Sequence, residues 1–387
     1  MASTYDLVVD VDSVEQPEDT THDVLFKIGV VADIQYADVE DATSFHGVPR
    51  FYRNSLIGLR RALSAFEAEG VALTLDLGDA VDAKQKAAAH AGFDAVLGCF
   101  ESRPFPSYHL VGNHDLYNLP RPELNKRLGI APAGPYGSSY YSLVPHPSTR
   151  ILVLDSYELS LLDAAQGPDH PLRIRADQIM AVNPNSNKHS PDGLVGEQRR
   201  FVEFGGGVGE GQLEWLRAEL EAAKAAGQRV IVAGHVPFCP GTCPEPCVLW
   251  NYEEVLALLE ASGVVSATLA GHAHMNGYVL RNGIHHIVMP SILETPPDRD
   301  AYATLDVTPS ALILRGHDTC MSLILRVAGP TGAPLAQPLP LRTLAPWAEA
   351  AVKQRRSGGD CTSKAVEAAA ASNAEGAVMA LTPMVQA

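Results

Sequence analysis

Five short polar segments of this chain carry residue types able to hold divalent metal ions. They read Asp33-x-Gln35, Gly78-Asp79, Gly112-Asn113-His114-Asp115, Gly234-His235 and Gly271-His272-x-His274. Carboxylate, amide oxygen and imidazole suit manganese, iron or zinc, and the lack of thiolates among them argues against a structural zinc site. Two neighbouring cations need a carboxylate between them, and Asp79 is the natural bridge. Such a pair clamps a phosphoryl group and brings the pKa of a shared water toward neutrality, supplying a nucleophile for in-line attack. Taken singly, each residue has a plain explanation: an Asp after a strand is usually a turn or cap, and a lone His usually a satisfied structural residue. Together and in this order they point to a phosphate-cleaving metal centre.

Each segment follows a run of β character. Strands are expected at 24–31, 73–77, 107–111, 229–233 and 264–270. Helical periodicity falls at 53–69, 83–101, 212–226 and 253–261, the last with Asn251 and Glu254 as a capping pair. From 278 to 314 strand-like runs are separated by turn residues. This alternation predicts layered α/β structure with both sheet faces covered. Ligands of open α/β sheets collect at the carboxyl ends of strands, so five strand ends distant in sequence can converge. The glycines ahead of Asp79, Asn113, His235 and His272 are expected to permit tight turns that aim the next side chain inward.

The 387 residues are 46% hydrophobic and 19% charged, enough to bury a large core without covalent staples. A formal net charge of -16 argues against binding a nucleic-acid backbone. It does not argue against a small anion, because a bound cation supplies positive charge locally. Cys99, Cys239, Cys243, Cys247, Cys320 and Cys361 are too dispersed for a disulfide scaffold. With no basic-then-apolar leader and no apolar run of bilayer length, the expected setting is the cytoplasm.

Residues 1–22 hold six acids and no Lys or Arg, and are expected to form a disordered acidic tail. Residues 23–320 are the expected catalytic domain. Residues 321–387 read as a Pro-rich linker and an Ala-rich, weakly ordered tail with one short helix near 365–371. Gly205, Gly206, Gly207 and Gly209 match neither the dinucleotide nor the P-loop spacing and read as a flexible connection. His285, His286 and His317 read as structural. Cys239, Cys243 and Cys247 alternate with Pro240, Pro244 and Pro246, lack a CxxC pair, and read as a stiffened loop over the pocket.

With these motifs, the chain resembles the calcineurin-like metallophosphoesterase superfamily across about residues 24–317. Within it, the chain is most similar to the manganese-dependent ADP-ribose/CDP-alcohol diphosphatases. Three stretches carry that similarity: Ala32-Asp33-Ile34-Gln35-Tyr36-Ala37-Asp38, Cys247-Val248-Leu249-Trp250-Asn251 and Glu294-Thr295-Pro296-Pro297. The resemblance implies an α/β (α+β) four-layer sandwich, two mixed β-sheets packed face to face and flanked by helices. It implies a first cation on Asp33, Gln35, Asp79 and His274, and a second on Asp79, Asn113, His235 and His272. His114 would then serve the phosphoryl oxygens or the leaving group, with Asp115 orienting its imidazole. Most superfamily members carry His where this chain has Gln35. An amide oxygen is the harder, weaker ligand, which tilts the first position toward manganese over zinc. Two divalent cations are expected, manganese first, with magnesium, iron or zinc as alternatives.

A metal pair reads phosphate and little else, so loops must read the remainder of the substrate. In residues 45–53, Phe45 is the candidate for base stacking and Arg50 or Arg53 for a second phosphate. Cys247 is expected to touch the substrate through the same resemblance, while the Glu294 to Pro297 turn is given only a supporting part in the site floor. The expected reaction is hydrolysis of the pyrophosphate bond of ADP-ribose, CDP-choline, CDP-glycerol and related compounds. A (cyclic) nucleotide phosphodiesterase using the same centre is the alternative, and a catalytically inert scaffold is opposed by the presence of every expected ligand. The expected partner is this small molecule, with no nucleic acid, no membrane, and a monomer favoured.

Overall fold

The computed structural model describes residues 23–44 and 47–327, together with the backbone of Leu339 and Pro340. The expected acidic tail at 1–22, the short helix near 365–371 and Cys361 lie outside the described residues, as does Phe45. The chain opens with β1 (Phe26–Val31), the short ribbon β2 (Ala42–Thr43) and β3 (Pro49–Arg50), then α1 (Tyr52–Glu69) and β4 (Leu73–Asp76). Next come α2 (Ala89–Glu101), β5 (Ser107–His109), α3 (Asn113–Asn118), α4 (Arg121–Arg127), β6 (Tyr141–His146), β7 (Thr149–Leu154) and α5 (Pro171–Met180). They are followed by α6 (Glu210–Ala225), β8 (Arg229–Gly234), α7 (Tyr252–Ser262) and β9 (Val265–Ala270). The remaining strands are β10 (Gly277–Arg281), β11 (Ile284–Val288), β12 (Ala301–Val307), β13 (Ala311–Asp318), β14 (Leu323–Arg326) and β15 (Leu339–Pro340).

Two large sheets result. One has seven strands in the order β15-β14-β13-β12-β1-β4-β5, the other six in the order β10-β11-β9-β8-β7-β6. Both are mixed: β1, β4 and β5 run parallel, as do β7, β8, β9 and β11, and antiparallel strands complete each sheet. The two-residue period of a strand sends alternate side chains to opposite faces. Ile28, Val30, Ile231, Ala233, Leu269 and Leu305 accordingly fill the space between the sheets. Their neighbours Val31, Val230 and Val232 join the outer core with Leu59, Leu63 and Phe66 of α1, Leu216 and Leu220 of α6, and Leu256 of α7. Removing each such side chain from water contributes roughly 1.5–3 kcal/mol. This is the expected four-layer sandwich.

α1 shows why the layers seat well. Leu59, Ala62, Leu63 and Phe66 recur at helical spacing on its buried face, and Gly70, at φ 67°, ends the helix in the left-handed conformation. Gly29 lies under Phe66, whose ring would stand 2.5 Å from any Cβ placed there.

Four local expectations need correction. The expected helix 83–101 is divided into a 3₁₀ segment, Ala83–Ala88, and then α2. Asp82 pins that tight first turn by accepting the Lys84 N–H at 2.9 Å. Asn251 does not cap α7; its Oδ1 instead accepts the Val208 N–H at 2.9 Å while its Nδ2 donates to Glu254. The glycines at 205–209 are buried and closely packed, because Gly207 exchanges two backbone hydrogen bonds with Leu159 and a Cβ at Gly206 would meet Ser156 O at 2.2 Å. The seven-stranded sheet also runs past the expected boundary at 320, since β14 pairs with β13. Among the described residues, no helix is long and apolar enough to cross a membrane.

Candidate metal centre

The five polar segments meet at one end of the sandwich. Asp33 and Gln35 follow β1, Asp79 follows β4, Asn113 opens α3 after β5, His235 follows β8, and His272 and His274 follow β9. His274 Nε2 lies 3.1 Å from Asp33 Oδ1 and 2.8 Å from Gln35 Nε2, which is 3.0 Å from Asp79 Oδ2. His235 Nε2 stands 3.5 Å from Asp79 Oδ2 and 4.0 Å from Asp33 Oδ1. His272 Nδ1 stands 3.1 Å from Asn113 Oδ1. Ligand atoms of Asp33, Asp79 and His235 lie within 4.8 Å of one another, and all three residues are buried.

Two observations test whether these residues suit a cation pair. Gln35 Oε1, His235 Nε2 and His272 Nε2 are buried and lack a hydrogen-bond partner. Each such atom costs about 1–3 kcal/mol, a cost that a shared cation removes. The second is conformational. Asp33, Gln35, Asp79, His272 and His274 have φ of 51°, 42°, 59°, 66° and 52°, and among the described residues only Asn282 and Asp318 join them as non-glycine residues with positive φ. Backbone of this kind costs on the order of 1–3 kcal/mol per residue and clusters where function requires it. The donor set fits two divalent cations.

The glycines act differently from the expectation. Of the four, Gly78 alone has positive φ, at 99°. Gly112 provides clearance, since a Cβ there would lie 2.0 Å from Asp79 Oδ1. The positive φ falls instead on the candidate ligands Asp33, Gln35, Asp79, His272 and His274 themselves.

Electrostatics favour protons or cations in the centre. Burial lowers the proton affinity of His235, but Asp79 and Asp33 outweigh it and hold the imidazole up at about 10. His274, against the same burial, is held up at about 9 by Glu294 and Asp33. His272, buried beside His235, falls well below the ordinary histidine range. Asp79 is buried, yet His235 and His114 keep its carboxyl below the usual carboxylate range. Cations entering here displace protons.

His114 is present at the edge of the cluster, but its partner differs from the expectation. Its Nδ1 accepts the Ala83 N–H at 3.2 Å and lies 3.2 Å from Asp82 Oδ2, and despite burial Asp82 and Asp79 raise its proton affinity. Asp115 instead accepts the backbone N–H groups of Gly112 (2.9 Å), Asp79 (3.0 Å), Ala80 (3.0 Å) and Val81 (3.4 Å). A carboxylate three residues into a helix turns back toward its N-terminus, which carries Asp115 away from the ring. The signal for Asp82 was available: it stands three residues after Asp79, beyond the same strand.

The substrate candidates divide. Arg50 Nε lies 3.2 Å from Glu294 Oε1, beside the centre. Arg53 is exposed and paired at the surface with Asp38 (2.6 Å) and Glu40 (2.7 Å). Cys247, half-buried, packs with Cys243 against Ala273, Met275 and Val288, so its loop covers the segment that carries His272 and His274. His285, His286 and His317 contact Tyr278, Thr268 and Tyr302, away from the ligand segments. Two residues were not foreseen. The Tyr157 hydroxyl stands 3.0 Å from Asn113 Oδ1 and 3.1 Å from Phe204 O. The Phe204 ring lies 5.9 Å from that of His272 and stacks with His189. No motif marks either one.

Comparison with known proteins agrees with this geometry. The pattern defining the calcineurin-like phosphoesterase family matches residues 26–276. A manganese-dependent ADP-ribose/CDP-alcohol diphosphatase of Arabidopsis thaliana is 42% identical over 302 residues, covering 77% of this chain and 96% of the relative. The Homo sapiens protein of the same name is 32% identical over 315 residues, covering 76% and 90%. The crystal structure of a dimetal phosphatase from Danio rerio superposes with a TM-score of 0.76 at 31% identity, covering 79% of this chain and all of the other. Fold, converging donors and sequence therefore lead to one placement, and the chain belongs to the calcineurin-like phosphoesterase family.

Proposed function

We propose that this chain is a dinuclear-metal hydrolase that cleaves the pyrophosphate bond of ADP-ribose, CDP-choline, CDP-glycerol and related nucleoside diphosphate compounds. The observation that carries the reading is the gathering of Asp33, Gln35, Asp79, Asn113, His235, His272 and His274 around orphaned ligand atoms at one end of the sandwich. Asp33, Gln35, Asp79 and His274 are assigned to a first cation, and Asp79, Asn113, His235 and His272 to a second. Relatives spanning nearly their whole length carry the manganese-dependent activity in their names. When bound, the cations polarise a water and neutralise phosphoryl charge.

The chain's own groups do the rest. His114, whose proton affinity Asp82 raises against burial, donates to a phosphoryl oxygen or to the departing phosphate. Arg50 presents its guanidinium to the second phosphate. Phe204, half-buried beside His272, offers a face for a base, worth about 1–3 kcal/mol by stacking. The proposal includes a monomer in the cytoplasm.

The test is hydrolysis of ADP-ribose and CDP-choline with and without manganese, beside an Asn113→Ala variant. Two monophosphates should appear only with manganese, and the variant should lose turnover by roughly 100-fold or more. Manganese-dependent turnover of a cyclic nucleotide alone would replace the reading with a phosphodiesterase.

A further inference from the structure

Glu294 stands outside the five ligand segments, 6% exposed, in the turn after β11. That turn is tied to the first ligand segment by Ile292 N–H to Ala32 O (3.2 Å), Leu293 N–H to Asp33 O (3.2 Å) and Ser291 Oγ to Asp33 O (3.1 Å). Its carboxylate therefore has little freedom to wander. Oε1 lies 3.0 Å from His274 Nδ1 and 3.2 Å from Arg50 Nε, so one oxygen meets two donors.

The far side of the imidazole completes the picture. His274 Nε2 faces Asp33 Oδ1 at 3.1 Å and Gln35 Nε2 at 2.8 Å, within the cluster. A carboxylate behind one ring nitrogen fixes the proton there, so the lone pair of the other nitrogen points at the cation and becomes more basic. The same carboxylate supplies the buried counter-charge of Arg50. A group that loses its partner in such surroundings loses its orientation as well.

We propose that Glu294 is a positioning residue that couples the first cation position to Arg50, so that cation affinity and affinity for the substrate's second phosphate change together. The inference rests on the metal-dependent hydrolase reading above. It makes the turn at 294–297 a working part of the centre rather than its floor.

Glu294→Gln keeps the shape and an acceptor oxygen but removes the charge. Manganese binding, followed by electron paramagnetic resonance without nucleotide, should weaken about 10–100-fold at one of two ions. With saturating manganese, KM for ADP-ribose should rise more than kcat falls. Arg50→Ala should raise KM in the parent and distinctly less in the Glu294→Gln background, the mark of interacting side chains. An unchanged manganese isotherm overturns the positioning role. Equal effects of Arg50→Ala in the two backgrounds overturn the coupling. If Glu294→Gln does not fold, Glu294→Asp, with a shorter reach and the same charge, is read by the same two criteria. If the parent shows no manganese-dependent hydrolysis, the proposed function falls while the isotherms still decide the place of Glu294.

Discussion

The two sheets contribute unlike chemistry to one centre. The seven-stranded sheet delivers Asp33, Gln35, Asp79 and Asn113, all able to offer oxygen, while the six-stranded sheet delivers His235, His272 and His274, all offering nitrogen. The backing differs too. Asp115 gathers the amides beneath Asp79 and Asn113, whereas the imidazoles lean on groups from elsewhere: His235 on Leu77 O, His274 on Glu294, and His272 near Tyr157. Neither sheet alone could hold the cations. The candidate donors meet only when the inner faces are docked, so cation binding there would be thermodynamically linked to the packing of the core.

That contrast can be broken at its junction. Asp79 touches donors from both sheets, through His235 and Gln35. Asp79→Asn should remove several kcal/mol of transition-state stabilisation, about 1,000-fold or more in turnover, and lower manganese stoichiometry. Activity within tenfold of the parent would refute the bridging role.

A milder break lies between the sheets. Leu269, fully buried in the inter-sheet core, should cost about 2–5 kcal/mol on truncation to Ala, read by thermal or denaturant unfolding. Manganese at about 100 times its dissociation constant should return roughly 2.7 kcal/mol per occupied site to parent and variant alike. A midpoint indifferent to manganese would mean that docking and binding are separate. The gentlest change sharpens the contrast instead. Gln35→His places nitrogen on the oxygen-bearing side and should shift preference from manganese toward zinc on the order of tenfold, with the fold retained. Identical metal profiles would remove Gln35 from the ligand set.

Much of this was legible in the sequence because the candidate ligands sit where local patterns end. A strand announces itself by its period and its last polar residue by contrast, so Asp33, Asp79, Asn113, His235 and His272 stood out before any contact was seen. What stayed hidden depends on contacts remote in sequence. Tyr157 reaches Asn113 across 44 positions, and Arg50 reaches Glu294 across 244. Asp82, to which no part was given, stands beside His114 where Asp115 was expected, and the choice is made by how α3 begins. The flexible reading of 205–209 failed for a related reason: glycine serves close packing as readily as motion, and its neighbours decide which.

The four amides gathered by Asp115 have a practical consequence for anyone transplanting this chemistry. The turn after β4 and the start of α3 are riveted together by one side chain, although 36 positions separate Asp79 from Asp115. Moving either loop alone into a new scaffold would strand a buried carboxyl group or leave a row of unmatched N–H groups. The smallest portable piece is the pair, taken with the parallel strands that hold it in register.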